Sequence, residues 1–339
     1  MNSTVNWPSA QRRTTPLVTS RRTVAVALAG VALECFAAAP AKRTAPARIT
    51  FLGAVAPPPS PPPQSPWGAF FRELSARGWI NGRNLKMEVR LESDADSIAR
   101  VSADVVASRP DVIVADTSSA ILALRALTTT IPIVMHLVGP PVELGLVASL
   151  PRPGGNVTGS ADFVLPMVAK HLELLREVVP GLRRLGMLWT QRNPAVSLVH
   201  AELLRLAAEA GIQFTSLPLA RSADLAESLR TSREAQVQAL YIHPFRVPDE
   251  AYAWAREHKM PTLGSARRGA LLSYFAEHIE QYETSARYVA LILDGKSPAD
   301  LPVVLPRHFR LVVNLRTHRA IGIELPGSFR MRVDEFLEG

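Results

Sequence analysis

The sequence predicts an α/β protein of two lobes, each a doubly wound parallel sheet, with a cleft between them. Three observations carry this reading. From Ile49 onward, short and wholly apolar runs alternate with longer amphipathic segments. The alternation pauses at the turn signal Pro153-Gly154-Gly155-Asn156 and then begins again. The chain has 339 residues, 47% of them apolar and 20% charged, enough for two ordinary domains with sizeable cores. Whole-chain disorder and a collagen-like repeat are excluded by the same figures.

Taken in order, Ile49 to Val55 reads as a strand and Gly68 to Arg77 as a helix. Leu85 to Leu91 alternates apolar and polar residues, as a half-exposed edge strand does. Ile98, Val101, Val105 and Val106 recur at helical spacing within Ser97 to Ser108. A strand (Asp111 to Ala115), a helix (Ser119 to Leu127) and another strand (Ile131 to Leu137) follow. All-apolar strands between helices imply a parallel sheet covered on both faces, with right-handed crossovers. The second array has helices at Met167 to Val178 and Ala195 to Ala210. Its strands are at Arg184 to Trp189, Gln213 to Leu217, Ala239 to His243 and Leu271 to Tyr274.

The first 41 residues read as a removable leader. Arg12, Arg13, Arg21 and Arg22 precede the apolar run Thr23 to Leu33, and small residues end at Ala39-Pro40-Ala41. That is the order of a secretory signal, and the run is shorter than the roughly 20 residues a membrane span needs. Ser20-Arg21-Arg22 suggests the twin-arginine export route. The single cysteine, Cys35, excludes a disulfide framework and a thiolate zinc cluster. Glu34 beside it fits lipid attachment badly, so the cysteine is expected to leave with the signal. The formal charge of +8 falls to +5 in the mature chain, with 34 basic and 29 acidic residues left. Those basic residues are scattered, so nucleic acid is not the expected partner.

Several longer motifs then carry a resemblance. Gly78-Trp79-Ile80-Asn81-Gly82-Arg83-Asn84, Thr128 to Val134, Leu144 to Gly159, Leu271 to Tyr274 and Gly295 to Leu315 stand in order at matching spacing. On these the chain resembles the substrate-binding proteins of ABC transporters, over nearly all of Ile49 to Pro326. The resemblance implies a type I periplasmic-binding-protein fold, a small-molecule ligand, an ABC permease with its ATPase as partner, a periplasmic location and a monomer. The expected division is a leader at 1–41 and a first lobe at 48–160 together with 278–300. The second lobe is expected at 161–277 with part of 301–335.

In open α/β sheets, ligands bind beyond the carboxyl ends of the strands, and two facing lobes close on them about a hinge. The first candidate is therefore Asp116-Thr117-Ser118-Ser119, where Thr117, Ser118 and Ser119 open a helix as caps or as ligand contacts. Gly139 follows the next strand. In the second lobe Thr190, Gln191, Arg192 and Asn193 precede the first-turn Pro194, with Asn193 as a plain N-cap in the bland reading. His243 and Phe245 end another strand, although an isolated histidine is more often merely accommodated. Tyr274 and Phe275 fall where the chain recrosses between lobes, so they line the cleft or pack the hinge.

Three departures from the family pattern stand out. A proline-rich run, Pro57 to Pro66, replaces a short polar loop; it is either a stiff rim of the cleft, with Trp67 just beyond it as a candidate ligand contact, or an inconsequential exposed loop. Gly139-Pro140-Pro141 stands where the family often has Gly-Asp-Pro, removing an acidic group that would meet a ligand amine. Phe275 replaces a glycine. Together they count against simply carrying over an amino-acid-like ligand.

No enzyme signature emerges. The proline run occupies the place of a dinucleotide-binding glycine motif, and no P-loop, nucleophile elbow or H-E-x-x-H is present. The eight histidines have no metal-ligand spacing, and no cofactor is implied. Glu92, Asp94 and Asp96 are expected to cap the following helix and face water. Two readings remain: a transporter's solute receptor, or a ligand sensor of the same fold that signals to a membrane protein. An enzyme of unrecognised chemistry is a weaker third.

Overall fold

The structure is a computed structural model that describes residues 45–338, apart from Val55, Ser93, Asp94, Phe163 and Arg192. Of Ala95, Asp96 and Ser222 only the backbone is described. The expected leader and Cys35 lie outside the described residues.

The chain opens with β1 (Ala47–Gly53), α1 (Pro66–Ala76), β2 (Leu85–Leu91), α2 (Ala95–Ala107), β3 (Val112–Ala115), α3 (Ser118–Leu127), β4 (Ile133–Met135) and β5 (Val157–Gly159). These strands form an all-parallel sheet in the order β2-β1-β3-β4-β5, with β2 at the edge as its alternation suggested. Successive residues of β3 point to opposite faces. Val112 and Val114 pack with Phe70 and Leu74 of α1, whereas Ile113 and Ala115 pack with Ile121 and Leu124 of α3. Burial on both faces is why this strand reads as one apolar run.

The chain then builds α4 (Val164–Val178), β6 (Arg184–Thr190), α5 (Pro194–Glu209), β7 (Gln213–Leu219), α6 (Leu225–Glu234), β8 (Ala239–Ile242), α7 (Glu250–Glu257), β9 (Thr262–Leu263) and β10 (Leu272–Ala276). Next, α8 (Ile279–Leu293) returns to the first sheet, where Val289 and Leu293 join the cluster of Phe51 and Phe70. Finally β11 (Phe309–Asn314), α9 (Leu315–Ile321), α10 (Gly327–Arg330) and β12 (Glu335–Leu337) complete the second sheet, ordered β12-β11-β10-β9-β8-β6-β7.

Two strands depart from the parallel pattern, β11 and the β12 that runs parallel to it. β11 runs antiparallel to β10. The reason is topological: β10 leaves the sheet at its carboxyl end, the chain returns at that same end, and the next strand must therefore run away from it. Neither β9 nor β12 is legible beforehand, being two and three residues long.

The chain passes between the sheets three times, after β5, after β10 and before β11. Two passages pair with each other. Ser160 bridges Val304, Val304 N–H donates to Gly159 O at 3.0 Å, and Ala161 N–H donates to Val304 O at 2.9 Å. The third is tied in by Glu277 N–H donating to His308 O at 2.8 Å.

Gly159 is required at the first passage. Its φ is +135°, and a Cβ there would lie 2.2 Å from Met135 O. Gly159→Ala is expected to cost roughly 3 kcal/mol or more. An unchanged midpoint in urea unfolding would show that the close approach is not rigid.

Candidate functional site

The carboxyl ends of both sheets converge on two adjoining cavities that share Asp162, Val164, His243 and Pro244. The larger, about 330 Å³, is walled mainly by apolar side chains, including Met167, Tyr274, Phe275 and Val312, with His171, Tyr241 and His278 among them. The smaller, about 250 Å³, is bounded by Asp116, Ser118 and Gly139 from the first lobe and by Asn193, Val196 and Phe245 from the second. Larger surface hollows between α4 and α5 and between α6 and α7 lie away from these strand ends.

Each wall follows from a local rule. Thr117 is an N-cap whose hydroxyl accepts from Ala120 N–H at 3.2 Å; Ser118 Oγ, one residue on, donates to Gly139 O at 3.0 Å. Asn193 caps α5 through Ala195 N–H at 3.0 Å while still lining the cavity, so the bland and the sharp readings hold together there. Two helix N-termini thus face the smaller cavity, both favourable to negative charge.

The histidines are neutral by construction. Phe245 N–H donates to His243 Nδ1 at 3.2 Å, which leaves the ring proton on Nε2. His171 Nε2 lies 2.8 Å from Tyr274 O and must donate to it, leaving Nδ1 as a buried acceptor without a partner. Burial pushes His243 down to about 3, with nearby His171 adding to the effect, and pushes His171 down to about 4.

The carboxylates behave oppositely. Asp116 Oδ1 accepts Ala54 N–H at 3.1 Å, and a Cβ on Gly53 would lie 2.6 Å from Asp116 Oδ2, so the glycine makes room for this side chain. Burial, reinforced by the charge of Glu92, raises Asp116 to about 7. Glu92 itself is raised by burial against a hydrogen bond from Thr117 and the charge of Arg246. This corrects the expectation that Glu92 faces water: it is only 4% exposed. Asp94 and the side chain of Asp96 lie outside the described residues.

Of the residues expected from sequence, Ser118, Gly139, Asn193, His243, Phe245, Tyr274 and Phe275 meet at the two cavities. Thr117, Ser119, Thr190 and Gln191 are not in their walls: Thr117 and Thr190 are buried, Ser119 half-buried and Gln191 exposed. Arg192 lies outside the described residues. Trp67 packs instead among Phe51, Phe70, His136 and Tyr282, with ring centroids 5.1 to 5.5 Å away. The proline run does not line either cavity. Its end forms a turn, Ser65 N–H to Pro62 O at 2.9 Å, and Ser65 then caps α1.

Sequence reasoning passed over Asp162, His171, Tyr241 and His278. Asp162 directly follows β5 and was within reach of the strand-end rule. His171 and Tyr241 face the cavity from inside a helix and a strand, and no local signal marks them.

The chain matches the family described as ABC transporter substrate binding protein over residues 68–336. It is 24% identical over 264 residues to a tyrosine-binding protein of Clostridioides difficile, covering 75% of this chain and 76% of that one. Among solved structures it resembles a conserved domain protein of Vibrio cholerae at 26% identity and a TM-score of 0.77, covering 86% of this chain and 99% of the other. It also shares the fold of a Streptococcus protein described in complex with L-Trp, with a TM-score of 0.74, 22% identity, and 86% and 100% coverage.

Asp116 generates a pH prediction. Its folded value of about 7 lies above the ordinary 3.8, so the fold favours the protonated form. That contribution is fully present below about pH 4 and is lost as pH rises through about 7. Asp116→Asn should therefore raise stability at pH 8 by on the order of a few kcal/mol, with the gain vanishing near pH 4. Thermal melts across that range check it; a gain independent of pH would contradict the assignment.

Proposed function

We propose a function from the premise that the chain belongs to the ABC transporter substrate-binding protein family. The protein is the solute-binding component of an importer. It works outside the cytoplasmic membrane, in the periplasm if the leader is used as expected, and delivers its ligand to a permease. No helix among the described residues is long and apolar enough to cross a membrane.

The ligand is an amino acid with an aromatic or similarly apolar side chain. The single observation that carries this is the division of the cleft into an apolar chamber and a smaller one of mixed lining that brings in Asp116, Ser118 and Asn193. The larger chamber is of a size and lining to take an aromatic side chain. The smaller offers carboxylates, Asp116 and Asp162, toward an ammonium group. The N-termini of α3 and α5 beside them suit a carboxylate. The acidic group missing at Pro140 is thereby replaced from two other strand ends, which answers the sequence-based objection to an amino-acid ligand. Tyrosine and tryptophan, named for the relatives, are the natural first probes.

Thermal-shift titration with L-tyrosine, L-tryptophan, sugars and organic acids tests this. At about 100 times the dissociation constant a true ligand adds roughly 2.7 kcal/mol of stability. Asp162→Asn should weaken amino-acid binding by about tenfold or more. Shifts with sugars or organic acids but none with amino acids would sink the ligand assignment.

A further inference from the structure

Arg246 and Glu92 belong to different lobes. Glu92 follows β2 in the first sheet, where its N–H donates to Gly53 O at 3.1 Å. Arg246 sits in the loop after β8 of the second sheet. The two meet across the cleft: Arg246 Nη2 donates to Glu92 O at 2.8 Å and lies 3.7 Å from Glu92 Oε1. The Glu92 side chain is 3% exposed and that of Arg246 27% exposed, so water screens the pair far less than a surface ion pair.

Both partners are held in place from their own side. Glu92 is fixed by its own N–H donating to Gly53 O, and Thr117, whose hydroxyl lowers the carboxyl's pKa, is itself fixed as the cap of α3. The Arg246 guanidinium lies 5.6 Å over the ring of Phe245, which lines the smaller cavity. The preceding residues are fastened by the bond from Phe245 N–H to His243 Nδ1. Arg246 adopts φ +54°, a left-handed backbone that a non-glycine residue takes at a cost. A strained residue reaching from one lobe to a buried backbone oxygen and carboxylate of the other serves the arrangement of the lobes rather than the folding of either.

We propose that Glu92 and Arg246 are positioning residues, forming a clamp that stabilises the closed arrangement of the lobes and so sets how tightly the cleft retains what enters it. The pair uses no group that lines the larger chamber, so it acts through the closed population and not through ligand contact. A charged hydrogen bond of this kind shifts a two-state ratio by about 5–30-fold. Apparent affinity falls in proportion to the loss of the competent state. The inference rests on the proposed ligand site only for that consequence, and its test needs no ligand.

The test is the distance between spin labels on Cys introduced at Arg100 of α2 and Glu234 of α6, in a Cys35→Ser background. Both positions are exposed helix sites, one in each lobe. In the wild-type protein a short distance, that of the closed arrangement, is expected among those populated. Arg246→Ala should move most of those molecules to a longer one, Arg246→Lys fewer, and Glu92→Gln, which keeps the backbone acceptor, fewest; Arg246→Met, with a stem of similar length, should reproduce the Ala result if Arg246→Ala folds poorly. Circular dichroism should stay unchanged in the variants that open. A wild-type protein already open, or variants with the wild-type distance and only a lowered melting temperature, would overturn the clamp and leave a purely structural ion pair. Neither result would touch the ligand assignment, which the titrations decide separately.

Discussion

The pairing of Ser160 with Val304 is the constraint on which the arrangement depends. Two chain passages between the sheets lie side by side there, joined by backbone bonds on both sides of the bridge. Because the first leaves from the carboxyl end of β5, that end of the first sheet must face the second. Because β10 also departs from its carboxyl end, the second sheet faces back. Two parallel sheets so joined have no other edge at which their loops and helix N-termini can meet. The antiparallel β11 is a consequence of the same geometry, not an irregularity.

Below the paired passages lies a buried polar chain. Leu137 N–H donates to Ser160 Oγ, which is 3.1 Å from Ser285 Oγ, and Ser285 Oγ is 3.0 Å from His136 Nδ1. It ties the first passage to β4 and to α8, the helix that returns to the first lobe. Burial holds His136 down to about 3, so this chain is uncharged at any working pH. The same physics operates in the cleft above it. Burial disfavours charge on every group, making the histidines neutral while raising the carboxyls. At Glu92 the charge of Arg246 works against that rise without cancelling it.

Much of the fold was legible because burial on both faces writes itself into the strands. β3 is four consecutive apolar residues, and β2, exposed on one side, alternates. The cleft was legible as loops, not as walls. Ser118, Asn193 and His243 follow strands, and that rule found them. Trp67 reads as a cleft contact because it follows a proline run at the expected rim, whereas its ring is enclosed by Phe51, Phe70 and Tyr282. Glu92 was misread for the opposite reason: an acidic residue among others looks solvated, and its partner lies 154 positions away in another lobe. Contacts between lobes leave no periodicity in either segment.

Asp162 has a position that neither lobe shares. It lies on the passage directly after the Ser160 bridge, its N–H donating to Val138 O at 3.2 Å, and it lines both cavities. A rotation of the lobes about the paired passages would move Asp116 and Ser118 one way and His243 and Asn193 the other, and Asp162 least of all. A ligand ammonium held at Asp162 would therefore bind at the pivot before closure, and the mobile groups would then gather around it. On the proposed reading, recognition of charge would precede closure, and contact of the side chain with Tyr274 and Phe275 would accompany it. The loss of an acidic residue at Pro140, on a moving lobe, would then be of little consequence, because Asp162 lies beside the hinge.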